Sequence, residues 1–320
     1  MGHDVIGSAV SVMNAVAGDL EIVFGDIGMT AYEKTDHYLP PDTIDLATDA
    51  DAIIAGNVIE KPNDIRYRNP LKILKKQLNL YSVYRKYFPL CQGLGVPGID
   101  MIVMTGNPDS LLNIIEKENL DGIISEKFIS RESCKKLFRK TLTIAEAKNR
   151  SRITCVHRSD MFPLSDGTFL NMFYKEFAAS EFLINDMDVE NFASELIMNP
   201  SSIDVIVCTD LYGATISGMA AGMVGGIYLT PMGSIGDTQG LFEPMHGPTP
   251  DTPEGMTNPT SAILSGAMAL DHIGMTSKGD DIRQAVRNAY AQGKTTPDIG
   301  GTMSTKEFTD YLVMSLKATR

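Results

Sequence analysis

Three segments late in the chain gather residue types that could meet a nucleotide. They read LFEPMHGPTPD (241–251), GMTNPTSAILS (255–265) and TTPDIGGTMSTKEF (295–308), and they hold Glu243, His246, Gly247, Asp251 and Asn258. Loops crowded with Gly and Pro let backbone N–H groups approach a dinucleotide, while a carboxylate such as Asp251 accepts hydrogen bonds from ribose hydroxyls. Each residue taken singly, His246 included, reads as well as part of a polar turn. In combination they point to a dinucleotide site. A further segment is notable for what it lacks. From Leu211 through Gly236, a run that opens with DLYGATISGMAAGMVGG at Asp210, there is no Asp, Glu, Lys, Arg or His. GLGVPG (93–98) matches the glycine spacing of a dinucleotide fingerprint. It precedes a strand-like run rather than following one, and it contains Pro97, so it is read as a turn.

These residues need a scaffold, and 320 residues suffice for two domains or one large α/β unit. A net charge of −12 excludes a nucleic-acid or anionic-membrane surface, either of which needs a basic field. The start, MGHDVIGSAV, lacks the basic-then-apolar order of a signal peptide, and no apolar window is long enough to span a bilayer. Cys91, Cys134, Cys155 and Cys208 have no CxxC spacing, which favours reduced thiols in a cytoplasmic protein over disulfides or zinc. EIVFG (21–25), DAIIAG (51–56), DMIVM (100–104), ITCVH (153–157) and DVIVC (204–208) read as buried strands. Between them, 8–17, 42–50, 132–149, 167–180 and 188–198 carry helical spacing, and the chain after 226 reads as mostly helical, at 258–273, 281–292 and 304–318. Ser304 and Glu307 form a capping box for the last of these. Alternating strands and helices predict an α/β fold with a mostly parallel sheet. The basic stretch KILKKQLNLYSVYRK (72–86) is either a solvated helix face or a set of anion clamps.

The loop segments resemble the nucleotide loop of the β-decarboxylating dehydrogenases, the family of isocitrate, 3-isopropylmalate and homoisocitrate dehydrogenases. That loop reads roughly F-E-P-x-H-G-S-A-P-D and then A-N-P-T-A-A-I-L-S. Glu243, Pro244, His246, Gly247, Pro250, Asp251, Asn258 and Pro259 match it, and T-x-D-x-G-G-x-x-x-T-x-E-F matches at 296–308. ADAIIAG, LKKQLNLYSVYR, IDMIV, ISRES, VHRSD, DLYG, AAGMVGG and IGD fall in family order over nearly the whole chain. The resemblance implies a two-lobed α/β fold with the active-site cleft between lobes. The nucleotide lobe would be 1–94 with 229–320, and the central lobe, 95–228, would carry the dimer interface. The family opens with a strand and a P-G-D-G-I-G-P-E-V turn, whereas this chain aligns only from the turn, so a start upstream is expected.

The family oxidises a 2-hydroxy acid by hydride transfer to NAD(P) and releases the β-carboxylate as CO₂. That chemistry needs a divalent cation, an acid and a base, and cations that clamp carboxylates. The resemblance places the three metal carboxylates at Glu190, Ala214 and Gly218, of which only the first is acidic. Asp160 and Asp210 stand where the family has Asn; they are either a displaced metal site with Glu190 or solvated, capping carboxylates. The proton-transfer Lys becomes Arg158, which cannot act through a neutral amine. The Tyr acid becomes Leu111 or Leu112, and the three clamping arginines become Lys75, Arg85 and Met104.

The nucleotide positions thus survive while the metal, acid and base positions do not. The expected function is an impaired, regulatory or repurposed paralogue that binds NAD rather than NADP, because Asp251 repels a 2′-phosphate. Lys75, Arg85 and Arg158 would hold a small anion. The expected assembly is a homodimer, or a hetero-oligomer with an active paralogue. The alternative is an active NAD-dependent oxidative decarboxylase of isocitrate, isopropylmalate or homoisocitrate with a rearranged site; a metal-free dehydrogenase of another small anion is a third reading.

Overall fold

A computed structural model describes residues 2–59, 67–106, 112–247 and 252–318, and the chain divides into two compact units. The first unit comprises Met1–Leu80, Pro89–Gly95 and Val224–Arg320. It begins with helices α1 (Gly2–Val16), α2 (Met29–Thr35) and α3 (Pro41–Asp49), the short strand β1 (Ile53–Ile54) and helix α4 (Pro70–Gln77). The chain returns to it with strands β9 (Pro231–Ile235) and β10 (Gly240–Pro244), then helices α9 (Thr260–His272), α10 (Thr276–Ala291) and α11 (Thr305–Ala318). β10 runs parallel to β1 and antiparallel to β9, with Leu241 facing Ile53 and Phe242 facing Gly233.

Composition explains the centre of this unit. α9 has no charged side chain before Asp271, and every residue from Thr260 to Leu270 is buried, as expected for a helix apolar on all sides. Its small residues admit α1, whose Val5, Ala9, Val12, Met13 and Val16 recur at helical spacing and are buried. The capping box closes α11 as its sequence predicts: Glu307 accepts from the Ser304 backbone N–H at 2.8 Å, and Ser304 Oγ accepts from Glu307 N–H at 3.2 Å.

The second unit comprises Tyr81–Phe88 and Val96–Met223. It carries β2 (Ser82–Tyr87), β3 (Met101–Gly106), the hairpin β4 (Leu112–Asn119) and β5 (Gly122–Ile129), and α5 (Arg131–Ala147). β6 (Arg152–His157), α6 (Ser165–Phe177), β7 (Leu183–Asp188), α7 (Val189–Met198), β8 (Val205–Cys208) and α8 (Asp210–Met223) follow. Within this unit the strands are ordered β2-β3-β8-β6-β7, parallel throughout except for β2, which is antiparallel to β3. β3, β6 and β8 are Val-, Ile-, Met- and Cys-rich and buried, the pattern of a sheet covered on both faces. On one face Phe138 of α5 packs against Phe169, Phe173 and Phe177 of α6.

Four of the five expected strands are present, and 21–25 is not one. That segment forms no regular element, and Val23 and Phe24 are more than 60% exposed. Its apolar run finds no pairing partner among the described residues, so hydrophobicity alone did not make it a strand. The region after 226 is also less helical than expected, because PMGSI and GLFEP form β9 and β10. These stretches are short and rich in Gly and Pro, and only pairing identifies them. The basic stretch 72–86 is likewise split: α4 ends at Gln77, and Arg85 lies on strand β2.

Candidate functional site

In the first unit β10 delivers Glu243 and the turn after it delivers His246. Glu243 is fully buried and its carboxylate is ion-paired with Lys75, which α4 places beside it. Lys75, expected as a substrate clamp, therefore has its charge committed to Glu243. His246 is buried, its Nδ1 lies 3.0 Å from the Gly247 carbonyl, and its Nε2 has no hydrogen-bond partner among the described residues. Burial lowers its pKa below the ordinary histidine value, partly offset by the Gly247 carbonyl and by Asp298, so the ring is held neutral. The ring of Tyr228 lies 4.7 Å away at a tilt, and Asn57 donates its side-chain amide to the His246 carbonyl.

Asn258 joins the ends of the remaining two segments. Its Oδ1 accepts from Thr260 N–H at 3.0 Å at the start of α9, and its Nδ2 donates to Asp298 at 3.0 Å and to Tyr290 at 3.2 Å. Burial pushes the Tyr290 hydroxyl up to about 12, and Thr260 and Asn258 hydrogen-bond it. The separate motifs around His246, Asn258 and Asp298 thus meet within one unit. Sequence reasoning named His246 and Asn258 and missed Tyr228, Tyr290 and Asn57, which carry no motif of their own. Asp251, and with it 248–250, lies outside the described residues.

In the second unit Arg158 follows β6 and sits among carboxylates. Its Nε donates to Asp160 at 3.1 Å, one terminal nitrogen is bonded to Glu190 at the start of α7, and its backbone N–H donates to Asp166 at 3.2 Å. The hydrogen bond to Asp160 holds the guanidinium pKa above its already high value, and that same bond lowers the Asp160 carboxyl. Asp166 is buried, ion-paired with Lys127 of β5. Arg85 reaches Thr105 of β3 at 3.5 Å, and its buried Nε has no partner among the described residues. Met104 is fully buried within the sheet, between Tyr84 and Val207. It faces protein on both sides and offers no ligand contact. His157 is fixed by Asp186 at 2.9 Å and by the Ser159 N–H at 3.1 Å, and Tyr174 bonds the same Asp186.

α8 presents Ala214 and Gly218 on its exposed side, one turn apart. A carboxylate at either would face outward, and at Gly218 nothing stands within 4 Å of where a Cβ would be. Among the described residues no three His, Cys, Asp or Glu side chains converge to hold a metal ion. Of the two alternatives for Asp160 and Asp210, a displaced metal site with Glu190 or solvated and capping carboxylates, Asp160 and Glu190 are paired with Arg158 and Asp210 opens α8. Leu111 lies outside the described residues, and the side chain of Leu112 is likewise not described.

The chain's residues 1–312 match the family model for isocitrate/isopropylmalate dehydrogenase. The chain belongs to that family. It is 34% identical to the homoisocitrate dehydrogenase of Methanocaldococcus jannaschii, with 98% of this chain and 94% of that one aligned. A mitochondrial NAD isocitrate dehydrogenase regulatory subunit from Dictyostelium discoideum is 30% identical over 85% of this chain and 82% of its own length. The fold is similar to the crystal structure of isocitrate dehydrogenase from Methylococcus capsulatus, with a TM-score of 0.89, 27% identity, and coverage of 99% and 96% of the two chains. Members of this family are NAD-dependent and typically metal-dependent dehydrogenases. Among the described residues no helix is long and apolar enough to cross a membrane.

Proposed function

We propose that this chain is a repurposed or regulatory member of the family, which binds NAD and a small anion but does not carry out metal-assisted oxidative decarboxylation. The observation that carries this reading is Arg158, held by Asp160 and Glu190 where the family resemblance places a proton-transfer lysine and a metal carboxylate. An arginine in that setting stays charged, so it binds anions and moves no proton. With Ala214 and Gly218 on α8, the chain lacks the charges that would stabilise a developing enolate. NAD supplies hydride acceptance when bound. Glu243, His246, Gly247, Asp251 and Asn258 would hold it, and the buried Nε2 of His246, without a partner among the described residues, offers a polar contact for that ligand. Arg85 would hold the anion, and Arg158 would add only the terminal nitrogen that Glu190 does not take. The resemblance to one relative named as a regulatory subunit supports a partner of the same fold, either a second copy or an active paralogue joined through 95–228.

Calorimetric titration with NAD is the direct test, together with NADH formation from isocitrate, homoisocitrate and isopropylmalate in Mn²⁺. The proposal expects saturable NAD binding and turnover at least ~10²–10⁴-fold below that of an intact family member, since acid–base groups alone contribute that much. Turnover comparable to that enzyme would establish the alternative reading, an active decarboxylase with a rearranged site. Absence of NAD binding would overturn both.

A further inference from the structure

Of the positions that the family resemblance assigns to substrate cations, Arg85 keeps its charge unspent. Lys75, in the first unit, is paired with Glu243, and Met104 is uncharged and buried in the sheet. Arg158 gives its Nε to Asp160 and one terminal nitrogen to Glu190. Arg85 differs from these. It is half-buried, one terminal nitrogen lies 3.5 Å from Thr105 Oγ1, and its buried Nε has no partner among the described residues. A contact of 3.5 Å is at the long limit of a hydrogen bond, and it does not neutralise a guanidinium that is always charged. A desolvated charge without a counter-ion is costly, and a bound anion removes that cost.

The register puts this charge at the carboxyl end of the second unit's sheet, where ligands of open α/β sheets bind. Arg85 is paired with Val103 across β2 and β3, and its side chain reaches forward to Thr105. Thr105 is paired with Cys208, the last residue of β8, and Cys208 with Val156 of β6. Thr209, next in the chain, is 1% exposed, and its hydroxyl has no partner among the described residues. A guanidinium with hydroxyls beside it provides for one carboxylate. Two strand spacings away, roughly 10 Å at ~4.8 Å per strand, the charge reverses. Arg158 and Lys127 stand there with Asp160, Glu190 and Asp166, three carboxylates to two cations. Asp186 and Asp188 flank the neighbouring His157. A second carboxylate projecting from Arg85 toward β6 meets like charge, which rejects it more effectively than the absence of a clamp would.

We infer that the anion site proposed above, on which this assignment rests, takes a monocarboxylate with an uncharged remainder and rejects di- and tricarboxylates. The test is calorimetric titration of the full-length chain with pyruvate, 2-hydroxybutyrate, malate and isocitrate, in EDTA and again in Mn²⁺, with and without NAD. Saturable binding of the two monocarboxylates is expected, at least about tenfold tighter than that of malate or isocitrate. Arg85→Gln should weaken it about tenfold or more, the worth of a charge-assisted hydrogen bond. Glu190→Gln removes one carboxylate and frees a nitrogen of Arg158, so it should narrow the gap between pyruvate and malate about tenfold. Glu190 is 61% exposed, so that variant keeps its fold and decides the outcome if Arg85→Gln unfolds. Malate or isocitrate binding as tightly as pyruvate through Arg85 would overturn the ligand class and leave the anion site standing. No binding of any of the four acids while NAD binds would overturn the anion site as well. Undiminished pyruvate binding in Arg85→Gln, or an unaltered preference in Glu190→Gln, would also overturn the assignment.

Discussion

Lys75 and Glu243 expose only 14% and 2% of their side chains, so removing one partner leaves a desolvated charge on the other. Lys75→Met is expected to destabilise the chain by about 3–5 kcal/mol, the cost of a broken buried pair. Lys75→Met combined with Glu243→Gln should recover much of that loss, measured by urea denaturation; equal losses would mean that the pair is not the source. His246 gives a pH prediction. Its folded pKa lies below the unfolded value near 6.5, so the unfolded chain binds the proton first. Stability is then fully retained above about pH 6.5 and falls as the pH drops through that value toward the folded pKa. His246→Gln should flatten that part of the stability curve relative to wild type, as read from melting temperatures between pH 5 and 8. The identity of His246 was legible in its motif. Its neutrality was not, because burial comes from residues distant in sequence.

At the scale of elements, α8 lies against β3 at Gly213. A Cβ there would sit 2.1 Å from Thr105 Cγ2 and 3.2 Å from Cys208 Sγ, and Thr105 is itself fully buried in the sheet. Gly213→Ala is therefore expected to cost about 1–3 kcal/mol by overpacking, despite the better helix propensity of alanine. An alanine tolerated without loss of denaturation midpoint would contradict this close approach. Gly218, one face away with open space above it, is expected to accept a side chain freely. The N-terminus of α5 is held by Ser130, whose side chain accepts from Ser133 N–H at 3.2 Å. Ser130→Ala should cost about 0.5–2 kcal/mol, and Ser130→Asp very little, in the same measurement. The helical spacing of α5 was readable from sequence, as was the Ser304–Glu307 box of α11. β2, β9 and β10 were not, because each is only five or six residues long and its strand character rests on neighbours from elsewhere in the chain.

For the whole molecule, the hairpin of β4 and β5 exposes Ile115, Ile123, Ile124 and Phe128, each about half or more accessible. A patch of that kind marks an interaction surface, in keeping with the proposed partner of the same fold. Ile123→Glu with Ile124→Glu is expected to reduce the mass seen by light scattering to that of one chain while NAD binding continues. An unaltered mass would place the interface elsewhere, and an initial mass of one chain would remove the homodimer from the proposal.

The sequence by itself determined the family, the alternation of strands and helices, and the absence of carboxylates at Ala214 and Gly218. These are local matters of residue type, spacing and order. Tertiary structure decided how the remaining charges are spent. Lys75 is directed to Glu243 across 168 positions, and Arg158 to Glu190 across 32. A charge in a sequence carries no record of its counter-ion. Only folding brings the two within reach, and desolvation then fixes whether the group is free to meet a ligand.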